Sequence, residues 1–450
     1  MPGATLSRWT LAYFAAAVVS LLLAEGLMAA GFGYPSAGIR APETLAVVHC
    51  VTIGWMSLLM LGALFQFVPV LIAGPIHDND LPLPALVLIL LGLLTLIASF
   101  LQLAGLLPPA RATFLIATVL LGAGFTLALW VLGRTLAGAW PLNLPAQFVA
   151  VGLASVAATA AFGIIFTLGF GGWAGSPALA RLHALGVPLH IIAGLGGWLS
   201  FTAIGVSHRL LAMFMLSPEL EGASVRWTFR LGCLALAIII GVGAVVAAAG
   251  HDPGWVLALG GLAGLGCLGL YGRDAVQLYR KRLRPLIELN SRMAAIALLH
   301  LAAAAILITF CTLSGLLGRS VGALVFLSCF GWLSGLGLAK LYKIVAFVTW
   351  LECYGPVLGK TATPRVQDLV VEPRAVKWFW LYFAAVDVAT LCLFFGLVHG
   401  FRTAAATMCL ATAGIALELV RTRRLSNVKE PLRLPQGVRE PRLLFTVIAN

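Results

Sequence analysis

The stretch HCVTIGWMSLLMLGALFQFVPV, residues 49–70, contains no Asp, Glu, Lys or Arg. About 20 apolar residues in a helix are enough to cross the hydrocarbon core of a bilayer, and these 22 qualify. The apolar residues run continuously instead of alternating, so a transmembrane β-barrel strand is excluded. Outward from this stretch the same reading finds twelve such segments. They run near 9–32, 44–74, 82–106, 112–134, 146–171, 184–216, 227–249, 254–272, 292–317, 321–351, 376–399 and 403–420. The loops between them are too short to fold as domains. Over all 450 residues, 61% are hydrophobic, 10% are charged and mean hydropathy is +1.02. A soluble chain is about half apolar and a quarter charged, and a disordered one carries still more charge. The expected fold is therefore an all-α polytopic membrane protein of twelve transmembrane helices in a single membrane domain. The first segment is too long for a signal-peptide core and is read as a retained anchor.

Lys and Arg outnumber Asp and Glu by 29 to 16. A basic chain can bind nucleic acid, but in a polytopic protein the excess marks the inner loops. Twelve spans put both termini on one side. That side carries 21 Lys and Arg, and the other carries five: Arg40, Arg111, Arg181, Arg319 and Arg402. Both termini are expected in the cytoplasm, with the lipid bilayer as partner and no nucleic acid. Arg209, Lys340 and Lys343 fall inside helices near their inner ends, where long side chains snorkel to water. The eight cysteines contain no CxxC pair, so neither a disulfide framework nor a zinc site is implied.

The opening stretch contains Gly54-Trp55-Met56-Ser57. The same signature recurs as Gly197-Trp198-Leu199-Ser200 in span 6 and Gly331-Trp332-Leu333-Ser334 in span 10. Composition alone would give about 0.05 Gly-Trp-x-Ser copies in a chain of this make-up, so three copies are a repeat. Seven residues past each Trp stand Gly62, Gly205 and Ala339, all small. Eleven past stand Gln66, Arg209 and Lys343, all polar. Small residues let transmembrane helices approach closely, which explains the glycines but not a motif in every fourth helix. A triplicated four-helix unit explains it. The expected quartets are approximately 1–140, 141–285 and 286–425, related by a pseudo-threefold axis, with 426–450 as a cytoplasmic tail.

Ionisable residues inside a membrane are expensive and mark function by default. His49 and His190 stand near the outer ends of signature helices. Two readings stay open for them: each hydrogen-bonds a neighbouring carbonyl, or the two ligate a haem or metal from facing helices. They stand six and eight residues before their tryptophans. A two-residue shift turns a side chain by about 200° on a helix of 3.6 residues per turn, so they are not strict equivalents. His300 lies within span 9. Glu25, Asp387 and Glu418 interrupt otherwise apolar helices; Glu25 is placed to reach water, Glu418 to snorkel beside Arg421, and Asp387 to carry a proton or bind a cation. Met56, Met60, Met213 and Met215 near His49, Cys50 and His208 suit soft copper ions or simply fill space.

Three blocks point further: His49 through Val70, His190 through Phe214 with Gly197-Trp198, and Leu341 through Trp350. With twelve spans in three quartets, they make the chain resemble subunit I of the haem–copper oxidases, and more closely the shortened bacterial membrane proteins of that superfamily. The span plan covers nearly the whole chain; the motifs cover three helices. The resemblance implies the bacterial inner membrane, with His49 as a ligand of a low-spin haem and His190 on the helix that supplies copper with a histidine. It also implies a histidine pair in span 7 and a His-x-His in span 10, and 227–249 and 321–351 contain no histidine. Gly194 stands where the resemblance expects a Tyr four residues after the histidine. What it leaves is one haem, b type because no CxxCH exists, with His49 and His190 as axial ligands and His399 and His183 in reserve. Arg181, Arg402 and Arg40 lie at the depth of haem propionates. Copper, oxygen reduction and nitric oxide reduction are not expected. The alternatives are a transporter or assembly factor for a metal or small solute, and a non-catalytic subunit alongside a redox partner or other membrane subunits.

Overall fold

The computed structural model describes residues 7–446 apart from 111, 174 and 221. Arg111, one of the five basic residues assigned above to the outer side, lies outside the described residues. Helices dominate, and among the described residues there is no strand beyond one isolated bridge between Leu358 and Thr361. Twelve helices are long and apolar enough to cross a membrane. They are α1 (Thr10–Ala30), α2 (Pro42–Ile72), α3 (Pro82–Leu103), α4 (Ala112–Ala137), α5 (Leu144–Phe170), α6 (Val187–Met215), α7 (Ala223–Ala248), α8 (Gly254–Arg280), α9 (Leu289–Leu313), α10 (Leu317–Val357), α11 (Glu372–Phe394) and α12 (Val398–Arg423). In lipid every backbone polar group must find its partner within the helix, which is why apolar runs of this length fold this way.

The helix ends follow local chemistry. Pro42 and Pro82 sit in the first turns of α2 and α3, where a missing N–H costs nothing. The Asn143 side chain caps α5 by accepting the Ala146 N–H at 3.0 Å. Gly31 closes α1 at φ 84°, a left-handed conformation that L side chains avoid. The Arg402 side chain packs against this glycine. Where apolar runs and helices disagree, local propensity decides. Span 8 loses hydropathy at Arg273, yet α8 continues to Arg280 because no Gly or Pro interrupts residues 273–280. Asp274 is therefore a helical residue, not part of a loop.

The chain divides into two compact units. The first comprises residues 1–66 and 288–450; it contains α1, most of α2, and α9 to α12. In it α1 packs on α2 and α12, α9 on α10, and α11 on α12. Residues 426–446, the described part of the expected cytoplasmic tail, are docked within this unit. Thr446 binds the carbonyls of Arg8 and Ser7, and the Arg423 guanidinium donates to the carbonyls of Arg442 and Phe445. The second unit comprises residues 67–287. In it α3 packs on α4, α4 on α5, α5 on α6, and α7 on α8.

Each of the three Gly-Trp-x-Ser signatures lies in a π-helical segment: Cys50–Ser57, Ile192–Phe201 and Leu327–Ser334. A fourth π segment spans Ala237–Val242 in α7. Such wide turns are rare and are frequent at functional positions. The three signature tryptophans are 0–1% exposed, whereas Trp130, Trp140, Trp173, Trp227, Trp255 and Trp380 are each more than half exposed. The interfacial role of membrane tryptophans accounts for those six and not for the signature three.

The small residues beyond the signatures are contact points. A Cβ on Gly62 of α2 would lie 2.7 Å from Tyr13 Cβ of α1, and one on Gly205 of α6 would collide with Phe148 of α5. The polar residues four positions later also reach back. Gln66 accepts the Ser7 N–H at 3.0 Å just ahead of α1, and Lys343 pairs with Glu288 at 2.7 Å just ahead of α9. Arg209 instead pairs with Glu219 in the stretch that follows α6.

Candidate functional site

Polar groups inside these helices are few, so each is traceable to a partner. In the first unit the Trp55 indole N–H donates to Ser334 Oγ at 2.8 Å, joining two copies of the signature. Gly337 makes room for this approach; a Cβ there would meet Leu59 at 2.7 Å and the Trp55 ring at 3.3 Å. Tyr382 of α11 donates its hydroxyl to the Phe330 carbonyl at 3.1 Å, inside the third π segment.

Glu25, expected to reach water, is instead fully buried. The reason is packing of α12 over α1: Thr412 donates its hydroxyl to Glu25 Oε1 at 3.0 Å. Glu25 Oε2 has no hydrogen-bond partner among the described residues. Asp387 is the opposite case. Its side chain is 59% exposed on the flank of α11, and Oδ1 lies 2.9 Å from Nε2 of the buried His300 on α9. The His300 ring lies against Gly331 of the third signature and stacks on Phe383 at 5.3 Å.

The second unit carries a similar pair that the sequence reading missed. His208 of α6 and Asp274 of α8 are both buried, with Nε2 and Oδ2 at 3.5 Å. That is an ion-pair distance rather than a hydrogen bond. Tyr271, one turn before Asp274, bonds Ser207 at 2.7 Å and packs against the His208 ring. The signal for this pair was helical spacing. Tyr271 and Asp274 at i and i+3 share a face, but only once α8 is known to continue past Arg273.

His49 and His190 belong to different units. His49 Nδ1 lies 2.8 Å from the Leu45 carbonyl, and His190 Nδ1 lies 3.1 Å from the Thr159 carbonyl. A carbonyl only accepts, so in each imidazole Nδ1 carries the hydrogen. The hydrogen-bonding reading of these residues therefore holds. The π segments begin at Cys50 and Ile192, within two residues of each histidine. The rotation derived from 3.6 residues per turn does not carry across them, since their hydrogen bonds span five residues.

The remaining candidates stand apart from one another. His183 lies on the short helix Pro177–Leu185, edge-on to Phe166 and Phe170. His399 is exposed near the start of α12. Arg402 donates to the Ala29 carbonyl at 3.1 Å, and Arg181 to those of Ala248 and Ala249 at 3.4 and 3.5 Å. Each arginine thus satisfies carbonyls at the end of a neighbouring helix, α1 and α7 respectively.

At the opposite end of α12 the charges are paired more tightly. Glu418, expected to snorkel, is buried and takes Arg374 and Arg421 at 2.7 Å each. Arg423 and Glu352 form a pair at 2.6 Å with both side chains buried. A small cleft between the starts of α9 and α11 is lined by Glu288, Asn290, Tyr342, Lys343, Gln367 and Glu372 together with Ala346, Val366 and Val370. Among the described residues no three His, Cys, Asp or Glu side chains cluster as a metal site would require. No known protein family's sequence profile matches the chain, and no curated protein matches it.

Proposed function

We propose that this multi-pass protein sits in the bacterial inner membrane with both termini cytoplasmic, and that its helices form three related quartets on a haem–copper oxidase subunit I-like scaffold. We further infer that it holds one b-type haem with His49 and His190 as axial ligands, serving electron transfer or sensing. The observation that carries the haem reading is the shared state of the two imidazoles. Each has its Nδ1–H fixed by a main-chain carbonyl, at Leu45 and at Thr159. Ligating histidines are commonly oriented in this way, because the second-shell bond sets the tautomer and aims the ring. A bound haem would supply a one-electron couple tuned by its axial ligands.

The quartet reading rests on three π segments at three copies of one signature and on three buried tryptophans. Spans 7 and 10 contain no histidine, so the copper and high-spin haem ligands of an oxidase are missing from this chain, and neither oxygen nor nitric oxide turnover is expected. Under this reading Arg181 and Arg402 pair with the propionates, and His183 and His399 remain reserve ligands.

The test is a pyridine haemochrome assay with optical spectra on wild type, His49→Ala and His190→Ala. Wild type should carry one haem, and each variant should lose it or change its spin state. A colourless wild type, or two variants that keep the wild-type spectrum, ends the haem reading. Substantial oxygen or nitric oxide consumption with a reduced donor would overturn the non-catalytic part. The buried His208–Asp274 pair favours transport of a small solute as the second reading; a colourless protein with solute-dependent proton uptake would select it.

A further inference from the structure

His300 and Asp387 are joined by a contact that requires a proton. His300 Nδ1 lies 2.8 Å from the Ile296 carbonyl, so Nδ1 carries a hydrogen and a neutral ring presents a lone pair at Nε2. An ionised carboxylate also presents only lone pairs. Two acceptors do not meet at 2.9 Å, so a proton lies between Nε2 and Oδ1.

The surroundings decide where that proton rests and how it leaves. Among the described residues, the polar groups that His300 meets are the Ile296 carbonyl from its own helix and Asp387 from α11; α10 presents Gly331, and Phe383 stacks on the ring. The imidazole is buried, whereas Asp387 opens on a flank shared with exposed Val388 and Leu391. In a membrane-spanning helix that flank meets acyl chains, where a bare charge is costly.

We propose that His300 and Asp387 form a one-proton binding site, reached from the membrane-facing flank of α11, in which Asp387 is a carboxylic acid donating to His300 Nε2. Filling the site forms the Oδ1–H bond and emptying it breaks that bond. The proton passes to or from a base, and no electron moves. The site stands independently of haem.

The test uses the full chain in lipid nanodiscs at neutral pH, treated with dicyclohexylcarbodiimide, which attacks protonated carboxyls in apolar surroundings. Mass spectrometry should find the adduct on Asp387 in wild type and on no residue 387 in Asp387→Asn. The infrared difference spectrum, wild type minus Asp387→Asn, should contain a carboxylic acid C=O band that moves in heavy water and moves again in His300→Phe. An unmodified Asp387, or a difference spectrum with only carboxylate bands, would overturn the proposal. A C=O band that never responds to heavy water would overturn the exchange. If Asp387→Asn fails to fold, labelling of wild type and the infrared difference spectrum of wild type minus His300→Phe, in which the carboxylic acid band should appear shifted, still decide the matter.

Discussion

Ser334 is completely buried, and its hydroxyl receives the indole N–H of Trp55 from a position 279 residues away in sequence. Replacing it with Ala leaves a buried donor without its acceptor, which costs about 1–3 kcal/mol. Ser334→Ala should therefore lower the unfolding midpoint in detergent, while Ser328→Ala, whose hydroxyl bonds only the carbonyl one turn back, should change it little. Single residues also show why the notable chemistry was only half legible. Asp387 was conspicuous as a charge in an apolar run, but nothing local to it names His300, 87 positions earlier. Glu25 read as a residue near a helix end, and only the packing of Thr412 against it shows a carboxyl sealed from water.

At the scale of elements, the glycines of the signature helices set how closely neighbours approach. A Cβ on Gly331 would stand 2.7 Å from His300 Cδ2, so Gly331→Ala should destabilise α9 against α10 by about 1–3 kcal/mol through overpacking. Gly26→Ala in α1 meets nothing within 4 Å and should be neutral or slightly stabilising, since Ala is the better helix former. Thermal unfolding of the two variants side by side separates packing from propensity. The 3-10 turn Val366–Leu369, which precedes α11, is held differently. The Arg365 guanidinium and main-chain N–H bind Asp368 and hold its carboxyl below the usual carboxylate range. A lowered value in the folded state contributes order above the ordinary range and loses it as pH falls through the lowered range. Amide exchange protection at residues 365–369 should accordingly be present at neutral pH and fade in acid, and Asp368→Asn should remove it at both. The π segments belong to this scale too. Their positions coincide with a motif visible in sequence, yet their geometry does not follow from residue type, because glycine-rich apolar helices elsewhere in the chain, such as α8, contain none.

For the whole molecule, the ends of the chain matter more than their composition suggests. Residues 426–446 look like a basic tail, but Arg423 grips the carbonyls of Arg442 and Phe445 while pairing with the buried Glu352. Arg423→Met would break the buried Arg423–Glu352 pair, at a cost of about 3–5 kcal/mol. It should also release the tail, read as rapid tryptic cleavage at Arg439 or Arg442 in the variant and slow cleavage in wild type. The amino-acid sequence by itself determined that the chain is helical, with twelve segments long and apolar enough to cross a membrane, and marked the three signature helices. These follow from runs of apolar residues, whose backbone must satisfy itself within each helix once water is gone. Only the tertiary structure decided which of the scarce polar residues meet. Trp55 with Ser334, Glu25 with Thr412, His208 with Asp274 and His300 with Asp387 are all brought together by helix packing. The reason is physical: packing pairs side chains by their depth and the rotation of their helices, and hydrophobicity, which dominates this sequence, is non-directional and carries neither.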